Sequence, residues 1–365
     1  MFVAQLPIPR RSALHTAPSS FVLPSFFCMI AATVHAYRVF GIRLVSTIDF
    51  PELQERRTPS PPPGESGECE PVVIRWGRVP SPKRSRPTGG LRLENEPGPE
   101  RGSYFVTPQR LVFEFPEIGR LDARGGRELV VWPDPQTELQ TLRSYILGIG
   151  LAAVLQQQGR LVLHASGVAV DQNAVLFVGE KGAGKSTLTA ALNARDFPFI
   201  TDDIAPIRLP GPDSSDGIRQ AHVVDPGFLQ QKLWPDAAQH LGRSATTLPR
   251  LHSSVEKRLD RVNGRTETRA LPVQTLYVLV YPDESDPEIR ITPIRGIRAF
   301  QEIVRHSFLP TTMLRQIDPK THFEACEALL QTASVYRLQR PRDLSKLQQV
   351  IERVVRHQLD IQREA

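Results

Sequence analysis

The spacing of apolar positions divides the chain into a front part of short strands and a back part that mixes strands with helices. In the front part, short runs of alternating or β-branched apolar residues stand between prolines and glycines. They predict strands at Tyr37–Leu53, Val72–Trp76, Tyr104–Val106, Leu111–Phe115 and Glu128–Trp132. We therefore expect residues 36–135 to form a small β-rich domain with proline-rich loops.

The back part, residues 136–365, alternates helical and strand patterns, which favours an α/β domain with a central sheet. Apolar spacing predicts helices at Thr137–Gln158, Ser186–Ala194, Gly296–His306, His322–Thr332 and Asp343–Gln358. Apolar runs predict strands at Leu161–Val170, Ala174–Val178, Phe199–Thr201, Ala205–Leu209, His222–Val224 and, as a pair, Leu276–Tyr281 with Glu288–Ile294. Two glycines in the middle of the first helix predict close packing there, and Trp234 is expected in the core.

Residues 1–35 allow two interpretations. Arg10 and Arg11 precede the apolar stretch Phe21–Val34, as in a secretory signal, but Pro24 interrupts that stretch. We expect a disordered leader, with Met29 as an alternative start. Because no run of 18 apolar residues occurs, we expect neither a spanning helix nor a membrane partner.

Composition narrows the function classes only slightly. The 365 residues are 40% apolar and 23% charged, as in ordinary globular proteins, and are long enough for two domains. The net charge of +6 comes without an interleaved aromatic and basic run, so we do not expect a nucleic-acid partner. Cys28, Cys69 and Cys326 form no C-x-x-C pair, which argues against a disulfide framework or a zinc site and fits a reducing compartment.

A phosphate-binding motif lies between the strand that ends at Val178 and the helix that begins at Ser186. Its sequence, G-E-K-G-A-G-K-S, matches the G-x-x-x-x-G-K-[ST] loop whose backbone N–H groups cradle phosphates. The predicted nucleotide-binding residues are Gly179, Glu180, Lys181, Gly182, Ala183, Gly184, Lys185, Ser186 and Thr187. Lys185 is expected at the β- and γ-phosphates and the Ser186 hydroxyl at Mg²⁺.

An acidic pair follows the next predicted strand along the chain. Asp202 and Asp203 end the strand Phe199–Thr201, where a parallel sheet brings strand ends and ligands together. One carboxylate can hold Mg²⁺ while the other accepts a proton from an attacking hydroxyl. A single metal-side aspartate with a capping neighbour is the alternative. His164 ends another strand, a position usually held by a structural histidine.

The combined spacing of these residues resembles that of the HPr serine kinase/phosphorylase family. In that family a histidine stands fifteen residues before the first loop glycine, and an Asp-Asp pair begins seventeen residues after the loop lysine. His164, Gly179, Lys185, Asp202 and Asp203 keep those separations. The likeness is best over residues 160–205.

The resemblance implies a fold, a reaction and a role for each residue. The fold is a kinase domain of the HPr kinase/carboxykinase type, and the reaction is transfer of a phosphate from ATP to a serine hydroxyl of a peptide or protein. Asp202 is implied as the general base that can also reach Mg²⁺, and Asp203 and Ser186 as metal ligands. His164 and Lys185 are implied at the transferred phosphate. Two features depart from the family: its Glu-x-Arg-Gly-Leu-Gly segment is missing, and Glu180-Lys181 replaces Asp-Ser.

A narrower likeness is to the HPr-kinase-like proteins of lasso-peptide biosynthesis, which phosphorylate a serine at the C-terminal end of a precursor peptide. It rests on Tyr37-Arg-Val-Phe-Gly, Phe50-Pro-Glu-Leu and His164-Ala-Ser-Gly. A nucleotide-binding ATPase or regulator, an HPr kinase/phosphorylase proper, and a small-molecule kinase or carboxykinase relative stay open as alternatives. We expect a cytoplasmic enzyme, and a homo-oligomer is compatible with the sequence. The segment Glu256–Arg261 is expected as a solvated helix face that can also offer a cation to the phosphate.

Overall fold

The computed structural model describes residues 33–59, 70–77, 91–94, 102–208, 221–252, 255–282 and 288–364. The predicted leader, Cys28, Cys69 and the loop 80–90 lie outside these residues, apart from the leader's last positions. From Val34 onward the chain forms one compact unit, so the division predicted at residue 135 stays a prediction. No helix among the described residues is long and apolar enough to span a bilayer.

The front part folds into a sheet of eight strands over the described residues, in the order β1-β2-β3-β8-β7-β6-β5-β4. The strands are β1 (His35–Val39), β2 (Ile42–Ser46), β3 (Val72–Trp76), β4 (Leu91–Glu94), β5 (Ser103–Thr107), β6 (Arg110–Phe115), β7 (Gly119–Arg124) and β8 (Glu128–Pro133). The prediction for β3 is confirmed to the residue. A single strand over Tyr37–Leu53 was wrong, because Phe40 and Gly41 adopt positive φ (52° and 66°) and turn the chain into the β1–β2 hairpin. A short 3₁₀ helix, Pro51–Arg56, follows.

The helix predicted over Thr137–Gln158 is interrupted in its middle. Helix α1 (Leu139–Tyr145) and helix α2 (Leu151–Gln157) flank a π-helical segment, Ile146–Gly150, in which Gly148 has non-helical angles. The predicted packing of these glycines against another backbone was wrong. An added Cβ at Gly150 would lie 2.8 Å from the Leu129 side chain, and one at Gly148 meets no atom within 4 Å. A local bulge at such a position is typical of functional sites.

The back part is built on a second sheet that carries the site. Its strands are β9 (Leu161–Leu163), β10 (Ala165–Val170), β11 (Asn173–Gly179), β12 (Phe199–Thr201), β13 (Ala205–Arg208), β14 (Val223–Val224), β18 (Leu271–Val280), β19 (Arg290–Ile294) and β20 (Ser334–Gln339). Its central strands lie in the order β12-β10-β11-β18-β20-β19. Strands β11, β18 and β20 are parallel, and β10 runs antiparallel between β11 and β12. Consequently β12 points the same way as β11.

A small third sheet lies beside the edge of the second sheet, and helices cover the faces of the second sheet. The third sheet has the order β15-β17-β16, with β15 (Gln230–Leu233), β16 (Arg250–His252) and β17 (Val255–Arg261). The helices are α3 (Lys185–Asn193), α4 (Pro235–His240), α5 (Gly296–Arg305), α6 (Thr311–Ile317), α7 (Pro319–Thr332) and α8 (Leu347–Glu364), the last preceded by a 3₁₀ turn, Leu344–Lys346. The described part of the chain is therefore a mixed α/β fold with several sheets.

Three expectations about the back part were wrong. Glu256–Arg261 lies on strand β17 and is not a helix face. Trp234 is 39% exposed and is not a core residue. The strands near Leu276 and Glu288 do not pair with each other, because β20, which was not predicted, lies between β18 and β19. Strand pairing and the exposure of a side chain both depend on parts of the chain far away in sequence, which a local pattern does not encode.

Burial of histidines makes the fold sensitive to acid. Burial lowers the pKa of His222, His306 and His322, and that of His306 falls to about 4, an effect to which Lys185 and Arg305 add and which Glu180 opposes. Below the ordinary histidine pKa of about 6.5, the unfolded chain takes up protons that the folded chain refuses. Stability is therefore lost as the pH falls from about 6.5 towards about 4.

We expect His306→Gln to flatten this pH dependence. Between about pH 7.5 and about pH 5 the neutral ring of His306 accounts for a loss on the order of 2 kcal/mol, which the variant no longer shows. Urea unfolding of both proteins at the two pH values measures the difference. An unchanged slope in the variant would show that His306 titrates normally in the folded protein.

Candidate functional site

The site lies at one edge of the second sheet, where strands of the same direction end. The phosphate-binding loop follows β11, the acidic pair follows β12, Tyr281 follows β18 and Arg340 follows β20. The antiparallel strand β10 begins at this edge, and its first residue, Ala165, pairs with Val178. His164, which precedes it, is thereby placed beside the start of the loop. Parallel strand ends are where open α/β sheets bind ligands.

The loop has the backbone geometry of an anion cradle. Gly179, Gly182 and Gly184 have φ values of 151°, 86° and 86°, which residues with a Cβ rarely adopt. Helix α3 begins directly after Gly184 and has no side-chain cap, so the N–H groups of its first turn are left for another acceptor. The strand and the helix predicted on either side of the loop are confirmed, and phosphate binding by the loop stays a prediction.

Lys185 lies inside this cradle and is only 6% exposed. Its Nζ donates to the carbonyl oxygens of Gly179 at 2.8 Å and of Glu180 at 3.3 Å. Burial lowers the pKa of Lys185 to about 8, against the opposing effect of the carboxylates of Asp203 and Asp202. The lysine therefore stays largely protonated at neutral pH, and both carboxylates are near enough to act on it.

Two residues support the loop by donating hydrogen bonds to its carbonyl oxygens. The sequence analysis did not predict either of them. Arg340, itself 6% exposed, donates from Nη2 to the carbonyl of Ala183, and a Cβ on Gly184 would collide with that guanidinium. The Tyr281 hydroxyl donates to the Gly182 carbonyl at 2.7 Å, and Arg340 lies over the Tyr281 ring, 5.2 Å from its centroid. No sequence motif predicts these two residues, because only the order of the strands in the sheet brings them next to the loop.

The two members of the acidic pair lie in different surroundings. Asp202 is 6% exposed, and both its carboxylate oxygens accept hydrogen bonds, from the Ser166 hydroxyl at 2.5 Å and from the Lys232 backbone N–H at 2.9 Å. Asp203 is partly exposed and adopts a positive φ of 73°, which turns its side chain away from the course of the strand. Only Asp203 lines the cleft that contains Lys185.

Asp203 is the centre of a charged cluster. The Lys232 ammonium donates to its Oδ2 at 2.6 Å, and His164 Nδ1 lies 3.3 Å from its Oδ1 and 3.1 Å from its backbone oxygen. Burial raises the pKa of Asp203, but Lys232 and His164 outweigh that effect and hold it well below the ordinary value. The carboxylate is therefore ionised at neutral pH. Because a carbonyl oxygen only accepts, His164 meets it with a protonated Nδ1.

A narrow cleft brings most of the predicted residues together. It has a volume of about 30 Å³, and its walls include His164, Lys181, Gly182, Gly184, Lys185, Ser186, Thr187 and Asp203. Glu180 is an exception among the predicted loop residues, because its carboxylate pairs with Arg305 at 2.7 Å and is largely exposed. Trp234 and Lys257 also line the cleft, with the Lys257 ammonium 5.8 Å from the Trp234 ring centroid. Lys257 belongs to the segment that the sequence analysis named as a source of cations, and its action on a phosphate stays a prediction.

The donor set fits a magnesium ion that is held together with phosphate oxygens. Among the described residues, no three histidine, cysteine, aspartate or glutamate side chains are grouped as a metal site built from protein alone. Magnesium, however, is usually bound by one or two protein oxygens together with substrate phosphates and water. The Ser186 hydroxyl and the Asp203 carboxylate, both in the cleft wall, are oxygens of this kind.

Comparisons with known proteins add little to this geometry. No protein family matches the chain, and no curated protein matches it either. Among solved structures, the Hpr(Ser) kinase/phosphatase from Coxiella burnetii is similar at 15% sequence identity, with 55% of this chain and 98% of that chain covered. The TM-score is 0.25, which is too low for an argument, so the assignment of function rests on the residues of the site.

Proposed function

We propose that this protein is an ATP-dependent kinase that transfers the γ-phosphate to a serine hydroxyl of a peptide or protein. The observation that carries the proposal is the shared cleft, in which the phosphate cradle and its lysine face an ionised aspartate. A nucleotide binder needs only the cradle. An ionised carboxylate held at the far wall is what transfer to a hydroxyl requires in addition.

Bound MgATP would supply the phosphoryl group and an ion that neutralises its charge. The backbone of Gly182–Ser186 and the Lys185 ammonium would hold the triphosphate, and Ser186 with Asp203 would hold the ion. Lys257 and Lys232 add positive charge at the same place. Because phosphoryl transfer passes through a loose transition state, the protein mainly has to position the reactants and balance charge.

The geometry favours Asp203 as the group that receives the hydroxyl proton. The sequence analysis predicted Asp202 for this role, and that stays a prediction. The oxygens of both carboxylates have partners, but Asp202 is buried and lies outside the cleft wall, whereas Asp203 is partly exposed within it. Ser166 and the Lys232 N–H would then make Asp202 a support that fixes the turn carrying Asp203.

The finer assignments extend the proposal and rest on the sequence resemblance. They are a kinase domain of the HPr kinase/carboxykinase type, a lasso-type precursor peptide as acceptor, and a cytoplasmic location where ATP is available. An HPr kinase/phosphorylase proper and a small-molecule kinase share the same phosphate cradle. A homo-oligomer stays compatible with the proposal.

Intact-mass measurement separates these possibilities. The protein is incubated with MgATP and serine-containing peptides, and each peptide's mass is determined. The proposal predicts the gain of one phosphate on a serine. Release of phosphate without a modified peptide would identify an ATPase, and turnover of a metabolite with inert peptides would identify a small-molecule kinase.

Asp203→Asn is expected to remove phosphate transfer while binding of the nucleotide in the absence of Mg²⁺ persists. The amide keeps the shape of the side chain but receives no proton, and loss of a general base costs about 10²–10⁴-fold in rate. Asp202→Asn, which keeps one acceptor oxygen for Ser166 or Lys232, is expected to lose much less. Transfer rates and the Kd of an ATP analogue are measured for both variants.

The reverse pattern would return the role to Asp202. If Asp202→Asn abolishes transfer and Asp203→Asn leaves it intact, the buried carboxylate is the base. Thermal melting of both variants serves as the control for folding.

Arg340→Ala is expected to weaken nucleotide binding although Arg340 need not touch the nucleotide. Its guanidinium donates to the Ala183 carbonyl and fills the space behind Gly184, so its loss lets the cradle relax. We expect about a tenfold rise in Kd, which corresponds to roughly 1.4 kcal/mol. Calorimetry with an ATP analogue and Mg²⁺ measures the change.

Arg342→Ala is the matched control. Arg342 is exposed and stacks on Tyr281 from 4.3 Å but makes no described contact with the loop, so its loss should leave Kd unchanged. Equal effects of the two substitutions would show that the charge of this region, and not support of the loop, governs affinity.

A further inference from the structure

A much larger cavity adjoins the cleft. Its volume is about 390 Å³, and five residues line both spaces: His164, Lys181, Asp203, Lys232 and Lys257. The cavity therefore continues from the acidic side of the cleft. Its wall contains Asp203, His164 and, of the phosphate-binding loop, Lys181, but not Gly184, Lys185, Ser186 or Thr187.

The wall away from the cleft is apolar and aromatic. It is built by Tyr104 and Phe115 of the first sheet, Tyr145 and Ile149 around the π-helical segment, and Phe308 and Met313 near α6. The rings of Phe115 and Tyr145 meet edge to face with centroids 4.8 Å apart. The His164 ring meets that of Phe308 at 5.8 Å, which joins the charged cluster to the apolar wall.

The size of the cavity exceeds what an acceptor hydroxyl needs. Ligand sites commonly have volumes of about 300–1,000 Å³ and combine apolar walls with a few polar groups. A serine hydroxyl occupies only about the space of one water, roughly 30 Å³. The remaining volume suits the bulky apolar side chains on either side of that serine.

The nucleotide base is not the expected occupant of this cavity. In-line transfer places the γ-phosphate between the acceptor hydroxyl and the rest of the nucleotide. With Asp203 at the acceptor side, the base would lie at the other end of the triphosphate, away from Asp203. A cavity that begins at Asp203 and lacks the α3 residues in its wall is on the acceptor side.

We propose that this cavity is the acceptor-binding site and that it selects a serine flanked by bulky apolar or aromatic residues. The inference rests on the proposed kinase function. It gives the first sheet a role in recognition, because Tyr104 and Phe115 belong to it. The Gln140 side chain donates to the Arg250 carbonyl at 2.9 Å and so links α1 to strand β16. Strand β16 lies next to another part of the cavity wall.

The first test uses the unaltered protein and short peptides with one serine. The peptides differ only in the residues beside that serine, from glycine to leucine, phenylalanine and tryptophan. We expect kcat/KM to be at least about tenfold higher for the bulky apolar neighbours than for glycine, as is usual for filling an apolar pocket.

The second test fills the cavity from within. Gly148 lines the cavity, and a Cβ added to it meets no atom within 4 Å, so the side chain of Gly148→Phe starts from open space at the cavity wall. We expect this variant to lose the preference for bulky neighbours, with kcat/KM for those peptides about tenfold lower. The Kd of an ATP analogue should stay the same. Leu359→Phe, at an exposed position of α8, is the control and should behave like the unaltered protein.

The outcomes separate this inference from the proposed function. Transfer to serine without any preference among neighbours would overturn the cavity assignment and leave the kinase intact. Weaker nucleotide binding in Gly148→Phe, with the peptide preference kept, would identify the cavity as the base pocket instead. Phosphate release with every peptide unmodified would overturn both. The peptide series needs no variant, so poor folding of Gly148→Phe would not remove the test.

Discussion

The direction of one strand determines whether the site can exist. Strand β10 runs antiparallel between β11 and β12, so the phosphate loop and the acidic pair leave the sheet at the same edge. Two strand spacings separate them, roughly 10 Å between backbones. Lys185 and Asp203 both line the cleft that lies at this edge.

Charge balance within this gap explains the contacts among its charged side chains. Lys232 and His164 hold Asp203 ionised, while Asp203 and Asp202 oppose in part the lowering of the Lys185 pKa by burial. Burying one of these groups alone would cost several kcal/mol, so each requires the others. Lys232 is carried by β15 of the third sheet, and its backbone N–H also holds Asp202. The small third sheet therefore completes the site and is more than a cover for it.

The sequence predicted the parts of the site that are local and missed those that depend on topology. The loop, its strand and its helix follow from glycines and apolar spacing over a dozen residues, and the structure confirms the strand and helix. His164 and Asp203, singled out by spacing, do lie together at the cleft, although the antiparallel strand β10 between β11 and β12 was not foreseen. No sequence pattern indicated Arg340, Tyr281 or Lys232, because strands that are far apart in the chain bring these residues to the site. The π-helical segment at Gly148 was predicted as plain helix, since apolar periodicity does not reveal one inserted residue.

The central claim is that the cradle and Asp203 act on the two sides of one transferred phosphate. A crystal structure of the protein with Mg²⁺ and a non-hydrolysable ATP analogue tests it most directly. The account predicts a terminal phosphate that faces Asp203 across a gap which one hydroxyl group can bridge. A triphosphate seated in the loop with its terminal phosphate directed away from Asp203 would contradict the account.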